Sequence, residues 1–239
     1  MKNTKTIRFA TIVLSAVLLV SGCSTTELPR ADRLLKDGAH REARAIYSRQ
    51  AAQHPRSFRA HYGLAMSWCA EALQKSELGC GTPQDWLTPI YHMNLAYTIG
   101  AGEKAQRNLA IFHYNLGAAF HREEKIQDAI KRLEQSVSLD TMLVKAHNLL
   151  GTIYHQRGNL SQAQRCYRKV IQIQPDYAMA HFNLGALSWA RGDYETAAGC
   201  FEDAVSLAPH NGHFLLWLEK AQQILSLDDQ TNNSEAADR

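Results

Sequence analysis

The sequence predicts an all-α protein, a solenoid of about five helix pairs that ends in a C-terminal capping helix. The segments "HYNLG", "HNLLG" and "HFNLG" begin at His113, His147 and His181, which lie 34 residues apart in each case. In the copies that begin with "HNLLG" and "HFNLG", glycine and proline stand at positions that suit the turn between helices and the helix end. One helix pair cannot bury its apolar face alone, so such copies must stack on one another.

Residues 1–22 predict a lipoprotein signal peptide. Lys2, Lys5 and Arg8 precede the apolar run "ATIVLSAVLLV", which is too short to span a bilayer as a mature helix. The run ends in "LVSGC", which resembles the bacterial lipobox, and this resemblance implies that Cys23 is lipidated and becomes the new N-terminus. A conventional signal peptide cleaved nearby and an N-terminal membrane anchor remain alternatives.

The net charge of the chain points away from nucleic acid. The formal charge of +3 comes entirely from the signal peptide, whose removal leaves 23 Lys and Arg against 23 Asp and Glu. Binding to phosphate requires a clustered basic surface, which a neutral total does not indicate. The same neutrality argues against a polybasic patch for lipid.

Residues 144–177 hold the clearest copy of the repeat. Residues 110–143 and 178–211 keep the same frame, although Glu124 replaces the turn glycine and Ser188 replaces an aromatic residue. The pattern resembles the tetratricopeptide repeat (TPR) family, and the resemblance implies a right-handed solenoid of antiparallel helix pairs that binds protein. The residues of the clearest copy that carry the resemblance are Leu150, Gly151, Tyr154, Gly158, Ala163, Tyr167 and Pro175.

The remaining segments are less regular. Residues 23–57 predict a degenerate, lipid-anchored repeat, and residues 58–109 predict a second degenerate repeat with an inserted loop at 74–88 and a second helix near 89–99. Residues 212–227 predict the capping helix, and the polar residues 228–239 predict a disordered tail. The apolar side of the capping helix is expected at Leu215, Leu216, Leu218, Ala221 and Leu225.

Four histidines share one repeat position, the one that a tryptophan usually occupies in the TPR family: His61, His113, His147 and His181. Equivalent positions on packed helices lie about 10 Å apart. Metal ligands lie about 2 Å from their ion, so two such histidines cannot share one. We therefore expect no metal site and assign these histidines to packing between one helix pair and the next.

The cysteines divide into two pairs besides Cys23. Cys166 and Cys200 are repeat-equivalent, and this spacing places them too far apart for a disulfide, which needs Cα atoms within about 7 Å. Cys69 lies late in a helix, and Cys80 lies in the inserted loop. These two are either bridged in an oxidising compartment or remain separate thiols.

Catalysis is not indicated by any motif in the chain. The sequence contains no G-x-S-x-G, no H-E-x-x-H, no P-loop and no dinucleotide-binding glycine pattern. Carboxylates occur at helix-surface spacings such as "HREEK", which are typical of solvated charges. We therefore predict a protein that is not an enzyme and needs no cofactor.

The TPR resemblance also implies a concave groove lined by the first helix of each pair. The groove is expected to bind a protein or peptide, because exposed aromatic rings with a few polar groups suit such a ligand. Trp189 is expected to turn toward the groove beside Phe182; the alternative is that it rotates inward to fill the space left by Ser188. The predicted groove residues are Tyr62, Tyr114, His121, Arg122, Lys145, Asn148, His155, Phe182 and Trp189.

Position within the cell follows from the residue after the lipidated cysteine. In the lipoprotein sorting rule of enteric bacteria, Ser24 implies the outer membrane, with the protein on its periplasmic face. The chain resembles TPR lipoproteins of type IV and tight-adherence pilus assembly, which implies an assembly or pilotin-type factor for a pilus or secretin machine. The alternative is a periplasmic adaptor that scaffolds cell-wall hydrolases.

Overall fold

The structure, a computed structural model, describes residues 27–237 and the side chains of residues 27–227. The predicted signal peptide, Cys23 and Ser24 lie outside the described residues. Within the described range the protein is all-helical, as the sequence predicted, and contains no strand. The chain divides into two compact units between Lys125 and Ile126.

Among the described residues, the first unit contains five α-helices. Helices α1 and α2 share a core cluster through Ala31 and Tyr47, and α3 packs against α4. A break at Gly100 separates α4 from α5. Its φ of 126° is not helical, and few residues other than glycine adopt this conformation. The helices are α1 (27–36), α2 (His40–Gln53), α3 (Phe58–Glu77), α4 (Leu87–Ala96) and α5 (Gly102–Arg122).

The inserted segment between α3 and α4 is anchored at its centre. Residues Pro83–Trp86 form a short 3₁₀ helix, and Thr82 and Asp85 cap each other at its start. The Asp85 carboxylate accepts hydrogen bonds from the backbone N–H of Thr82 at 2.9 Å and from its hydroxyl at 2.8 Å. Trp86 is buried, and its ring centroid lies 6.0 Å from that of Phe112 on α5. This part of the insertion therefore belongs to the core of the first unit.

The second unit contains six α-helices. Helices α7 and α8 pack as a pair, as do α9 and α10, and α11 packs against α10. The helices are α6 (Ile126–Leu139), α7 (Val144–Gln156), α8 (Leu160–Ile173), α9 (Ala178–Ala190), α10 (Tyr194–Leu207) and α11 (Gly212–Ala237).

Helix α11 differs from the sequence prediction in two ways. It continues to Ala237, past the expected end at 227, because "DDQTNNSEAA" contains neither proline nor glycine to stop it. Its buried side is centred on Phe214 and Ala221, whereas Leu215 and Leu216 are exposed. The described backbone is thus helical to Ala237, where the sequence predicted a disordered tail from residue 228. The predicted apolar side is correct for Ala221, Leu218 and Leu225, which pack against the core, and wrong for Leu215 and Leu216.

Glycine allows the two helices of a repeat to approach closely. A Cβ atom added at Gly151 would lie 2.7 Å from Cε1 of Tyr167, and one at Gly185 would lie 2.6 Å from Cε1 of Phe201. Non-bonded carbon atoms normally stay about 3.5–4.0 Å apart, so any larger side chain would force the helices to separate. Each aromatic ring thus fills the space that its facing glycine leaves.

Four turns between consecutive helices use one backbone conformation. Gly38, Gly158 and Gly192 occupy the same repeat position and have φ values of 80°, 74° and 78°. Glu124 occupies that position between α5 and α6 and has a φ of 60°. Because a side chain is disfavoured in the left-handed region, Glu124 holds the same turn at a conformational cost.

Three of the four repeat-equivalent histidines connect their helix to the turn before it. His61, His147 and His181 each place Nε2 within 3.1 Å of the carbonyl oxygen six residues earlier, on Pro55, Thr141 and Pro175 respectively. A carbonyl oxygen only accepts, so Nε2 must donate in all three. The histidines therefore fasten successive pairs through a hydrogen bond as well as through packing.

Candidate partner-binding surface

The predicted groove residues fall in both units. Tyr62 lies on α3, and Tyr114, His121 and Arg122 lie on α5, all in the first unit. In the second unit, α7 carries three of them and α9 carries two. These five are Lys145, Asn148 and His155, followed by Phe182 and Trp189.

In the first unit, the start of α5 covers part of the predicted surface. Helix α5 begins at Gly102, about two turns before the expected frame at residue 110. These extra turns bring Asn108 to Tyr62, whose hydroxyl accepts a hydrogen bond from the side-chain amide at 2.7 Å. Lys104 places its ammonium group 5.3 Å above the Tyr62 ring. Tyr62 therefore contacts its own chain through its ring and its hydroxyl group.

The far end of α5 is also engaged within the unit. Arg122 donates hydrogen bonds to the Ser76 hydroxyl at 3.3 Å and to the Gly81 carbonyl at 3.4 Å. These contacts connect the inserted segment to α5, while the Arg122 side chain remains exposed, so a ligand contact at Arg122 stays a prediction. Tyr114 and His121, on the same helix, are half-buried.

In the second unit, α7 presents a polar stripe. Lys145, Asn148, Thr152 and His155 follow one another at spacings of three and four residues, which places them on one face of the helix. Lys145 is exposed, and the other three are half-buried. Burial lowers the pKa of His155, which keeps its imidazole neutral at neutral pH. The stripe therefore offers one cation followed by neutral hydrogen-bonding groups.

Helix α9 lies beside this stripe. The Asn183 side-chain amide donates to the Asn148 side-chain oxygen at 3.4 Å, which connects the two helices directly. Met179, one turn before Asn183, exposes 42% of its surface. We define the α7–α9 surface by Lys145, Asn148, Thr152, Met179 and Asn183.

Phe182 does not belong to this surface. It is buried, with 7% exposure, in a cluster with Phe201 and Phe214. Its ring stacks on Phe214 of α11 at a centroid distance of 4.9 Å and lies 4.8 Å from the ring of His213. The prediction of an exposed Phe182 is therefore wrong, because the Phe214 side of α11 packs directly over its ring.

Trp189 joins the same aromatic cluster at its edge. Its ring meets Trp217 of α11 edge-to-face at 5.2 Å and Tyr194 of α10 at 4.9 Å. The side chain is half-buried and packs against the core residues of the cluster. Trp189 thus turns toward the capping helix, an orientation that neither sequence alternative included. The tryptophan and phenylalanine in "HFLLWL" could have signalled this covering face, since they lie three residues apart on one side of a helix.

The cysteines are unbridged in the described residues. Cys69 is buried on α3, and Cys80 is exposed, with its Sγ 3.4 Å from the Lys75 carbonyl oxygen. The structure therefore contains separate thiols where the sequence left a disulfide open. Burial raises the pKa of the Cys69 thiol to about 12, so it remains protonated at neutral pH and is a poor nucleophile.

Two family profiles match the second unit. The "TPR repeat" profile matches residues 151–192, and the "Tetratricopeptide repeat" profile matches residues 178–211. Residues 151–211 are tetratricopeptide repeats. Repeats of this family typically build scaffolds that bind other proteins and are not themselves enzymes.

Solved TPR structures resemble the chain in fold. YrrB, described as a TPR protein with an unusual peptide-binding site, is 17% identical, with 88% of this chain and 97% of YrrB covered and a TM-score of 0.55. MamA from Desulfovibrio magneticus RS-1, from residue 41 to its end, is 18% identical, with coverages of 79% and 97% and a TM-score of 0.51. The C-terminal part of a TPR protein from Cytophaga hutchinsonii is 18% identical, with coverages of 84% and 72% and a TM-score of 0.56. A comparison with curated protein sequences found no match.

The described part of the chain contains neither a membrane-spanning helix nor a cluster of metal ligands. None of its helices combines the length and apolar character that crossing a bilayer requires. Within the same residues, no three histidine, cysteine or acidic side chains come together as metal ligands.

Proposed function

We propose that the protein is a membrane-anchored scaffold of the cell envelope that holds a partner protein or peptide on the α7–α9 surface. The observation that carries the proposal is the pairing of the polar stripe of α7 with Met179 and Asn183 of α9 through the Asn148–Asn183 hydrogen bond. The fold shared with YrrB, a protein described as having a peptide-binding site, is in keeping with this proposal.

The chemistry of this surface favours an extended segment with an acidic side chain. The amides of Asn148 and Asn183 can each donate and accept, which suits the N–H and C=O groups of a peptide backbone. Lys145 has no carboxylate partner among the described residues and supplies a positive charge at one end. Met179 offers a flexible apolar contact that adapts to different partner side chains.

Anchoring through Cys23 belongs to the proposal and is tested by Cys23→Ala. Several acyl chains together hold a protein firmly, because each buried CH₂ contributes about 0.8 kcal/mol. We expect the variant to leave the membrane fraction or to accumulate unprocessed. A variant that fractionates with the outer membrane as tightly as the parent protein would rule out lipidation at Cys23.

Within this scaffold function, we propose an assembly or pilotin-type role for a pilus or secretin machine on the periplasmic face of the outer membrane. The test is photo-crosslinking in cells from a reactive amino acid placed at Met179, with the same amino acid at Arg168 as the control. Arg168 is exposed on α8 and lies outside the α7–α9 surface.

We expect crosslinks from position 179 to a secretin or pilus-assembly subunit and none of these from position 168. Crosslinks from position 179 to a cell-wall hydrolase would replace the assembly role with the adaptor role. Identical products from both positions would contradict the α7–α9 surface as the binding site.

A further inference from the structure

The neutral total charge of the mature chain conceals an uneven distribution. Residues 27–59 hold eight Lys and Arg against four Asp and Glu, which gives a net charge of +4. Residues 60–239 hold 15 Lys and Arg against 19 Asp and Glu, which gives −4. The first helix pair and the approach to α3 are therefore basic, while the rest of the chain is acidic.

Helix α1 has one buried and one basic side. Ala31 is fully buried, and Leu34 and Leu35 pack against the cluster that it shares with α2 and α3. The opposite side of α1 carries three cations, Arg30, Arg33 and Lys36, all exposed. We call these three residues the basic face.

Two of the four carboxylates of this region form ion pairs with cations outside the basic face. Glu27 accepts from Arg49 at 3.0 Å, and Asp32 pairs with Arg59 of α3. Among the described residues, none of the three cations of the basic face forms an ion pair with a carboxylate. Asp37 and Glu42, exposed near the turn to α2, reduce the local positive charge without cancelling it, since Arg41 also lies there.

The basic face lacks the features of a protein interface. The exposed large apolar side chains of the described residues begin at Phe58, so residues 27–57 contribute none. Protein interfaces are built around buried aromatic or aliphatic anchors. A membrane surface needs only cations within reach of anionic headgroups.

The position of the proposed lipid anchor brings a bilayer close to this face. Glu27, the first described residue, follows Cys23 by four positions. A fully extended chain spans at most about 3.6 Å per residue, so acyl groups on Cys23 keep the start of α1 within about 15 Å of the bilayer.

We propose that the basic face docks on anionic phospholipid headgroups and thereby orients the scaffold on the membrane. This inference rests on the proposed membrane attachment at Cys23. The acyl groups retain the protein at the bilayer, and the basic face fixes which side of the first helix pair meets it.

The test uses the mature chain without acyl groups, residues 24–239, so that binding does not depend on lipidation of Cys23. The core side chains of the described residues lie between Ala31 and Ala221, and this chain keeps all of them. The probes are vesicles that contain phosphatidylglycerol and vesicles of phosphatidylcholine alone, with binding measured by co-sedimentation at low salt. The triple variant Arg30→Gln, Arg33→Gln, Lys36→Gln is compared with a control that removes the same charge elsewhere: Lys131→Gln, Arg157→Gln, Arg168→Gln.

We expect the parent chain to bind only the phosphatidylglycerol vesicles and to lose binding as salt rises. The basic-face variant should bind about 100-fold more weakly, because each cation near an anionic surface contributes roughly a fivefold effect. The control should bind within about threefold of the parent chain, and thermal melting should be unchanged in both, since all six positions are exposed.

Three results would overturn the docking face: no binding by the parent chain, equal binding to both kinds of vesicle, or equal losses in the two triple variants. None of these bears on Cys23, which the fractionation of Cys23→Ala tests by itself. The two proposals can therefore fail separately.

Discussion

The two units share one kind of close helix contact, to which the first unit adds an ion-pair network. In the second unit, each TPR pair closes on a glycine opposite an aromatic ring, Gly151 with Tyr167 and Gly185 with Phe201. In the first unit, Gly63 of α3 faces the Tyr47 ring of α2 in the same way, and an ion pair between Arg44 and Glu71 at 3.0 Å also joins these two helices. That network continues into the inserted segment, where Lys75 meets Asp85 at 2.6 Å.

A second polar contact distinguishes the first unit. His61 on α3 and His92 on α4 approach at 3.1 Å between their Nδ1 atoms. Because His61 donates from Nε2 to the Pro55 carbonyl, a neutral His61 accepts at Nδ1 and His92 must donate. Periodic apolar packing therefore organises the regular unit, while individually placed polar groups supplement packing in the irregular one.

The largest effect that we expect concerns the cap of the second unit. Phe182→Ala should lower the free energy of unfolding by about 3–5 kcal/mol, because it leaves a cavity among the rings of α9, α10 and α11. Met179→Ala, on the exposed side of the same helix, should change it by less than about 0.5 kcal/mol. Chemical denaturation monitored by circular dichroism measures both. Equal stabilities would mean that Phe182 is exposed, as the sequence predicted.

The glycine contacts give the next largest effect. Gly185→Leu should lower the free energy of unfolding by about 3 kcal/mol. The new side chain would clash with the Phe201 ring and with the Ala197 carbonyl oxygen, which lies 3.1 Å from the added Cβ. Gly199→Ala is the matched control on α10, where a Cβ meets no atom within 4 Å. This change should stabilise the protein by about 1 kcal/mol through helix propensity. A tolerated leucine at position 185 would show that the pair does not depend on close approach.

The ion-pair network of the first unit should give a smaller, pH-dependent effect. The hydrogen bond from Arg44 holds the pKa of Glu71 below its usual 4.5. A carboxyl group whose pKa is lowered by folding stabilises the folded state above its unfolded-state pKa, and this contribution disappears as the pH falls through the folded-state value. We expect Glu71→Gln to lower the free energy of unfolding by about 1 kcal/mol at neutral pH and to leave it unchanged in acid well below pH 4.5.

Glu77→Gln is the matched control for this prediction. Glu77 is exposed at the end of the same helix and forms no ion pair with another described residue. Its replacement should leave the unfolding free energy unchanged at both pH values. A Glu71→Gln penalty that persists in acid would indicate a packing effect and not an electrostatic one.

The smallest effect concerns the turn that ends the first unit. Glu124→Gly should raise the unfolding free energy by about 0.5–1 kcal/mol, because glycine adopts the observed φ of 60° without steric cost. The converse change is Gly158→Ala in the second unit, which introduces a side chain at a φ of 74° in open space. It should lower the free energy of unfolding by about 1 kcal/mol. Shifts of the same sign in the two variants would contradict a shared turn conformation.

The sequence predicted the parts of the fold that repeat. Gly158 and Gly192 mark turns, and Gly151 and Gly185 mark close helix contacts, because the same physical requirement recurs at one position in each copy. Family profiles confirm these repeats over residues 151–211. The irregular contacts had no such signal, since the Asn108–Tyr62 hydrogen bond depends on the early start of α5 at Gly102.

The binding surface was harder to predict from the sequence than the fold. Helix periodicity places Lys145, Asn148 and His155 on one face of α7, and the structure agrees. The same rule placed Phe182 on an open face of α9, but α11 packs over that ring through Phe214. Whether a position is open or covered depends on the neighbouring helix, which the periodicity of α9 does not report.

The most direct test of the α7–α9 surface is the affinity for the partner that the crosslinks identify, measured by titration with Lys145→Glu and Arg165→Glu. Both residues are exposed cations of the second unit, but Arg165 lies on α8, outside this surface. We expect Lys145→Glu to weaken the affinity for the partner about tenfold or more and Arg165→Glu to leave it near that of the parent protein. Melting temperatures should be unchanged in both variants. Equal affinities in the two variants would contradict binding at the α7–α9 surface.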